Sequence, residues 1–166
     1  TAGGSKGSNN SVLSVKTPID ADESTLYWAA KLGDGFDSGA TGCPLLVDGV
    51  LIVCAGDMIC RVDPVSGEIL TKAKMDRASS FSITPPAYAN GMVFVGLSDG
   101  TIQAFNAETL QSLWIYHDPL EGQPNSPITV CGDYLYTGFW RSEESPANFV
   151  CLSITDEDPA RTDEEK

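Results

Sequence analysis

Three prolines, Pro44, Pro86 and Pro127, stand 42 and 41 residues apart, and each is followed five residues later by a glycine, Gly49, Gly91 and Gly132. Asp20, Asp63 and Asn106 are spaced 43 and 43 apart, and eight residues beyond them stand Trp28, Thr71 and Trp114. The clearest copy runs from Ala89 to Asn106. There two short apolar strands flank Ser98-Asp99-Gly100, a turn type that tolerates positive φ, and a third strand reaches Trp114. A period of about 40–45 residues with four strand signals per copy is the signature of propeller blades.

Strand signals support the same reading. The first complete unit offers Pro44–Val47, Val50–Cys54, Met58–Val62 and Glu68–Met75. The second offers Pro86–Ala89, Met92–Val95, Thr101–Phe105 and Leu110–His117, and the third Pro127–Val130, Tyr134–Thr137 and Asn148–Ile154. Ahead of these, Ser11–Lys16 alternates like a strand and Leu26–Leu32 reads as a strand carrying Trp28. Val50–Val53 and Met92–Val95 are apolar at every position, which requires cover on both faces. Radially stacked blades provide that cover, whereas a two-layer sandwich covers one face only, so an all-β partial β-propeller of four-stranded antiparallel blades is expected over an immunoglobulin-like sandwich. The expected division is a flexible segment over 1–10, a propeller over 11–155 with blade repeats near 43–76, 85–117 and 126–155, and an acidic tail or truncated linker over 156–166. About three blade equivalents are too few to close a ring, since propellers have about four to eight. An open blade edge leaves backbone groups unpaired, so further blades of a longer chain or a second copy are expected as partners.

Composition narrows the function classes. A net charge of −13 opposes nucleic-acid binding and docking on an anionic membrane. No apolar run approaches the ~20 residues of a membrane helix. The start Thr1-Ala2-Gly3-Gly4-Ser5 is small and polar and reads as a processed end behind a removed leader. The five cysteines, Cys43, Cys54, Cys60, Cys131 and Cys151, have neither C-x-x-C spacing nor His partners, so no zinc site is expected. Four of them lie in strand-like runs and read as buried small hydrophobes, with Cys54 and Cys60 placed to face each other across a hairpin. Asp34 and Asp37 lack the ligand order of a calcium loop and read as solvated acids. The one histidine, His117, precedes Asp118, but neighbours on a strand point to opposite faces, so the two do not form a base and its orienter. Trp28 and Trp114 read as buried packing anchors with indole N–H bonds to backbone.

The pattern from Gly91 through Asn106 to Trp114, with Asp63-Pro64-Val65-Ser66-Gly67 supplying the Asp-x-x-x-Gly portion that the second unit loses at Leu110, resembles the PQQ-like repeat of quinoprotein-type propellers. The resemblance covers Thr17 to Thr155 and implies the N-terminal portion of a larger secreted or surface-anchored bacterial protein. Quinoprotein dehydrogenases of the family stack the quinone on a disulfide between adjacent cysteines beside a calcium. No cysteines are adjacent here, so neither cofactor nor metal is expected, and part of a quinoprotein-type oxidoreductase completed by further blades stands as the alternative.

In a four-stranded meander, the second-to-third-strand turns and the blade-to-blade connections emerge on one face. That face gathers Gly33–Thr41, Asp76–Thr84, Asp118–Ser126 and the insertion Phe139–Ala147, carrying Phe36, Arg77, Phe81, Gln123, Asn125, Trp140 and Arg141. Aromatics and arginine on loops of a rigid scaffold are the residue types of binding surfaces. Alternatively, Phe81 and Trp140 plug the loops from below. A non-catalytic binding or scaffolding module that contacts a protein or polysaccharide through this face is therefore expected, outside the cytoplasm.

Overall fold

The computed structural model describes residues 26–33, 39–40, 42–79 and 84–155. Among them, β1 (Leu45–Val47), β2 (Val50–Ala55), β3 (Met58–Val62) and β4 (Ile69–Lys74) form a first antiparallel meander, and β5 (Ala87–Ala89), β6 (Met92–Leu97), β7 (Thr101–Asn106) and β8 (Ser112–His117) a second. A third sheet holds β9 (Thr129–Cys131), β10 (Tyr134–Gly138) and β11 (Phe149–Ser153). The first strands β1, β5 and β9 are successive neighbours, so the sheets stack around a common axis as blades do. The fold is all-β and a partial propeller.

Each blade junction is an apolar layer. Leu45, Ile52 and Ile59 of the first sheet meet Val93, Val95, Leu97 and Phe105 of the second. Phe94, Ile102 and Trp114 on its other face meet Leu135, Leu152 and Ile154. This is why β6 is apolar throughout: all its residues but Met92 are buried, alternately against one neighbour and the other. The turns follow from sequence too. Asp48-Gly49 and Asn90-Gly91 have positive φ at both positions, as a type I′ hairpin requires. In the third blade the glycine comes first, Gly132-Asp133, and only Gly132 has positive φ, the pattern of a II′ turn. The proline-to-glycine spacing therefore hides a one-position change in the turn.

The first two blades also superpose in register. Ile52 opposes Arg61, which opposes Thr71, just as Phe94 opposes Ala104, which opposes Trp114. The irregularity between Arg61 and Val62 recurs between Ala104 and Phe105. After the third strand, Asp63 Oδ1 accepts from the N–H groups of Val65 and Ser66 at 2.8 and 2.7 Å, and Asn106 Oδ1 from those of Glu108 and Thr109 at 3.0 and 2.9 Å. Such side-chain-to-backbone turns are why Asp and Asn recur at this place. The amide bonds from Ser66 and Val65 also hold the Asp63 carboxyl below its ordinary value. Ser153 takes the same place in the third blade, its Oγ accepting from Thr155 N–H at 3.2 Å.

The repeated tryptophan pegs one blade to the next. Trp114 Nε1–H donates to the carbonyl of Ile154, one residue past Ser153, at 3.4 Å. Trp28 Nε1–H donates to the carbonyl of Pro64, one residue past Asp63, at 3.0 Å. The two bonds are equivalent. Trp114 is buried as expected, but Trp28 is only half-buried. The expected strand over Leu26–Leu32 does not form: residues 26–33 carry no strand. Trp28 and Leu32 lie instead against the Val53, Cys60 and Val62 face of the first sheet. A strand needs a sheet edge alongside it, and this segment docks on a face. The expected Ser11–Lys16 strand, Asp34 and Asp37, and the two flanking segments 1–10 and 156–166 lie outside the described residues.

Cysteine placement departs from expectation. Cys54 is cross-strand to Ile59 and Cys60 to Val53, so the two thiols sit on opposite faces of the sheet. No hairpin disulfide can join them. Burial, and then Cys60, push the Cys54 thiol up to about 12, leaving it protonated and inert. Cys131 and Cys151 are exposed, not buried, because they belong to the face of the third sheet that carries Tyr134, Tyr136 and Phe149, against which no other described sheet packs.

Gly67 binds the peg to the turn. Its φ is +76°, and a Cβ there would lie 2.5 Å from Trp28 Cδ2. Gly67→Ala is expected to destabilise the chain through both effects, and Trp28→Ala to relieve only the clash. In a urea-unfolding double-mutant cycle the two substitutions should couple favourably by about 1 kcal/mol or more. Simple additivity would mean that Trp28 does not press on Gly67 in solution.

Candidate functional site

The face at the second-to-third-strand turns is stitched together by backbone bonds. Ser79 N–H donates to Gly56 O at 2.8 Å, Ser98 N–H to Ala78 O at 3.0 Å, and Asp118 N–H to Gly100 O at 2.9 Å. The first blade-to-blade connection is thereby tied to a turn of the blade on either side, and the second to a turn of the blade before it.

Three of the seven candidate residues come together here. Gln123 and Trp140 form an isolated antiparallel bridge, Gln123 N–H to Trp140 O at 2.6 Å and Trp140 N–H to Gln123 O at 2.8 Å. Together with Arg141, Glu121, Ser142 and Ser145 they line a cavity of about 230 Å³. Trp140 is 50% exposed. The residue that plugs the loop from below is its neighbour Phe139, buried in the layer between the second and third blades. Gly122 permits the approach, since a Cβ there would lie 2.7 Å from Phe139 Cβ. Gln123 Oε1 is buried and accepts no hydrogen bond among the described residues. An acceptor left so costs about 1–3 kcal/mol.

The others separate. Asn125 is exposed, its N–H turned back to Gln123 O at 2.9 Å, and does not line the cavity. Arg77 belongs to another cluster, paired with Asp76 at 2.9 Å and Asp99 at 3.8 Å. Phe36 and Phe81 lie outside the described residues.

Two groupings escaped the sequence because they join distant segments. His117 Nε2 lies 3.7 Å from Asp76 Oδ2, and its Nδ1 lies 3.1 Å from Thr101 Oγ1. The acid, imidazole and hydroxyl follow one another as in a hydrolase, but Thr101 is fully buried, so its hydroxyl reaches no substrate. Asp118 faces away from His117, as alternation requires, and holds the base of the site. Its Oδ1 accepts from Tyr116 Oη–H at 3.1 Å and from Asn148 Nδ2–H at 2.8 Å, and its Oδ2 from Leu120 N–H at 3.1 Å. One buried carboxylate thus ties the connection leading to Gln123 to the end of the Trp140 insertion. The sequence sets Asp118 beside His117 but does not signal this bond to Asn148.

Burial and then the bond to Asp118 push the Tyr116 phenol up to about 12. A raised phenol value favours the folded state below the ordinary value of about 10, and this contribution is lost as pH climbs from there through about 12. Tyr116 is therefore expected to resist ionisation in a spectrophotometric titration. Asp118→Asn should bring it back toward the ordinary value, and a titration unchanged by that substitution would mean that Tyr116 does not donate to Asp118.

Comparison with known proteins agrees with the blades. A family model described as "Outer membrane protein assembly factor BamB" matches residues 14–144. The BamB of Burkholderia pseudomallei (strain K96243) is 29% identical over 136 residues, covering 76% of this chain and 31% of that protein. Among solved structures, a europium-containing methanol dehydrogenase matches with a TM-score of 0.59 at 22% identity, over 74% of this chain and 25% of its own. BamB from Moraxella catarrhalis matches with a TM-score of 0.53 at 19% identity, over 67% of this chain and 32% of its own. The two structures show the fold alone, and the chain spans about a third or less of the length of these relatives. With the repeat, the stacked blades and the match over residues 14–144 in agreement, the chain belongs to the PQQ-like repeat family described by the outer membrane protein assembly factor BamB.

Proposed function

We propose that the chain is a non-catalytic scaffolding module of an extracytoplasmic bacterial protein, and that its loop face holds a protein partner at Gln123, Trp140 and Arg141. The single observation that carries this reading is a half-exposed Trp140 bridged to a glutamine whose buried Oε1 has no acceptor role within the described residues. A partner's N–H or O–H placed in the cavity removes the cost of that orphaned oxygen while the indole supplies apolar area. Aromatic anchors beside arginine are the usual energetic centre of an interface. The relative named as an assembly factor favours a protein over a polysaccharide as the ligand. The likeness to a methanol dehydrogenase rests on fold alone and brings no chemistry with it.

A photo-crosslinking residue in place of Arg141 is expected to give a discrete protein adduct in cell envelopes, and one in place of the exposed Leu70 to give none. Trp140→Ala should abolish the adduct while leaving the melting temperature unchanged. A large loss of stability in Trp140→Ala would identify it as a packing residue instead. Dye-linked dehydrogenase activity gained by the full-length protein with quinone and calcium would overturn the non-catalytic reading.

The open side of the third sheet also calls for cover. Tyr134 is 45% and Phe149 74% exposed on one face, and β11 is an edge strand. A further blade of the same repeat, from a longer chain or from a second copy, fits this face. The 166-residue chain is accordingly expected to self-associate in light scattering, with Tyr134→Lys and Phe149→Lys together restoring a monomer. A stable monomer of the unmodified chain would contradict this.

A further inference from the structure

The junction between the first and second blades lacks its peg. Thr71 stands where the register of the second blade places Trp114, so no indole of this chain crosses there. The departure is matched on the other side. Where Trp28 requires Gly67, the equivalent turn position facing Thr71 is Leu110, which keeps the positive φ of +58° but buries a side chain in the junction layer. Arg61, opposite Thr71, reaches over and its Nη1–H donates to Glu108 O at 2.6 Å.

A cavity of about 370 Å³ opens at the junction, lined by Val47, Ile52, Arg61, Tyr88, Ala107 and Glu108 among others. It corresponds in place to the seat of Trp114. Ile52 is the equivalent of Phe94, whose ring lies 5.8 Å from that of Trp114, and Ala107 is the equivalent of Ile154, whose carbonyl accepts the Trp114 N–H. Its volume falls in the range of about 300–1,000 Å³ usual for small-molecule pockets.

We propose that this cavity is a second binding site, which takes a tryptophan side chain of a partner polypeptide in the place that Trp114 fills at the next junction. The floor at Val47 and Ile52 is apolar, the half-exposed Tyr88 ring and the Arg61 guanidinium offer stacking and cation–π faces, and the Ala107 carbonyl stands where the peg's acceptor stands. Asp48 and Glu108 at the rim, on a chain of net charge −13, favour basic residues on either side of that tryptophan. The hairpin turns that frame the cavity lie at the opposite strand ends from Gln123 and Trp140. The proposal is therefore independent of the reading of that face.

The probe is N-acetyl-tryptophanamide, titrated into the isotope-labelled 166-residue chain and followed by amide NMR. Saturable shifts are expected at Arg61, Tyr88 and Asn106–Glu108, with N-acetyl-leucinamide producing none. Thr71→Trp combined with Leu110→Gly rebuilds the peg and its glycine, and should fill the seat and weaken binding at least about tenfold. Tyr88→Ser, at a partly exposed wall, should weaken it about as much should the double variant fail to fold. Absence of saturable shifts at these residues, or an affinity unchanged in a folded double variant or in Tyr88→Ser, would overturn the proposal.

Discussion

The offset of the blades rests on one kind of directional bond: Trp28 and Trp114 each give an indole N–H to the carbonyl one residue past the turn's Asp63 or Ser153, and between the first and second blades Arg61 Nη1–H reaches Glu108 O in place of an indole. The apolar layers alone would let neighbouring sheets slide, since burial is non-directional. The indole fixes the offset where it is present, because its one donor has one acceptor whose position is set by an Asp or Ser turn within the receiving blade. That turn has its own support, two amide bonds to Asp63 Oδ1 beside the Trp28 seat and the Thr155 N–H to Ser153 Oγ beside the Trp114 seat, so each peg rests on a locally rigid turn. Trp28 and Gly67 make the coupling explicit, for the ring occupies the space a side chain would need.

The meander divides the surface into two ends with different demands. At one end lie the hairpin turns and the peg seats, where the repeat is strict because neighbouring blades must mesh. At the other, the blade-to-blade connections and the turns of the second strands are tied to each other by single backbone bonds, and length is free to vary. The Phe139–Ala147 insertion uses that freedom. Phe139 points into the core and closes the layer, and Trp140, the next residue, is thereby turned outward. Asp118 then fixes the insertion from beneath through Asn148.

Much of this was legible because it is periodic. The strand positions, the doubly buried β6, the shared place of Trp28 and Trp114 and their indole bonds to backbone all followed from spacing and from the apolar run Met92–Val95. What failed to show were relations between segments far apart in sequence. Leu26–Leu32 has the pattern of a strand, and pattern does not say whether an edge lies beside it. Cys54 and Cys60 flank a short turn, yet their pairing with Ile59 and Val53 puts them on opposite faces, a matter of register. In the candidate site, residue type pointed to a face that carries Trp140, Arg141, Gln123, Arg77 and Asn125, but which of these share a cavity depends on contacts between segments far apart in sequence. The orphaned Oε1 of Gln123 is a property of three-dimensional packing, and no composition signals it.

Departures from a strict repeat carry the most information about what the scaffold is for. A blade that loses its tryptophan should lose junction stability, and selection for stability alone would then refill the gap with apolar bulk. At Thr71 the replacement is only partial: Leu110 fills the side of the junction where a glycine was no longer required, while Arg61 spans to Glu108 and leaves the seat over Ile52 and Ala107 open. Leu110 accepts positive φ, a strain of about 1–2 kcal/mol for a residue with a Cβ, to hold the turn in the conformation that Gly67 gives the first blade. A turn in a glycine's conformation, facing a seat with no peg, keeps the junction geometry of the repeat while leaving space open between the blades.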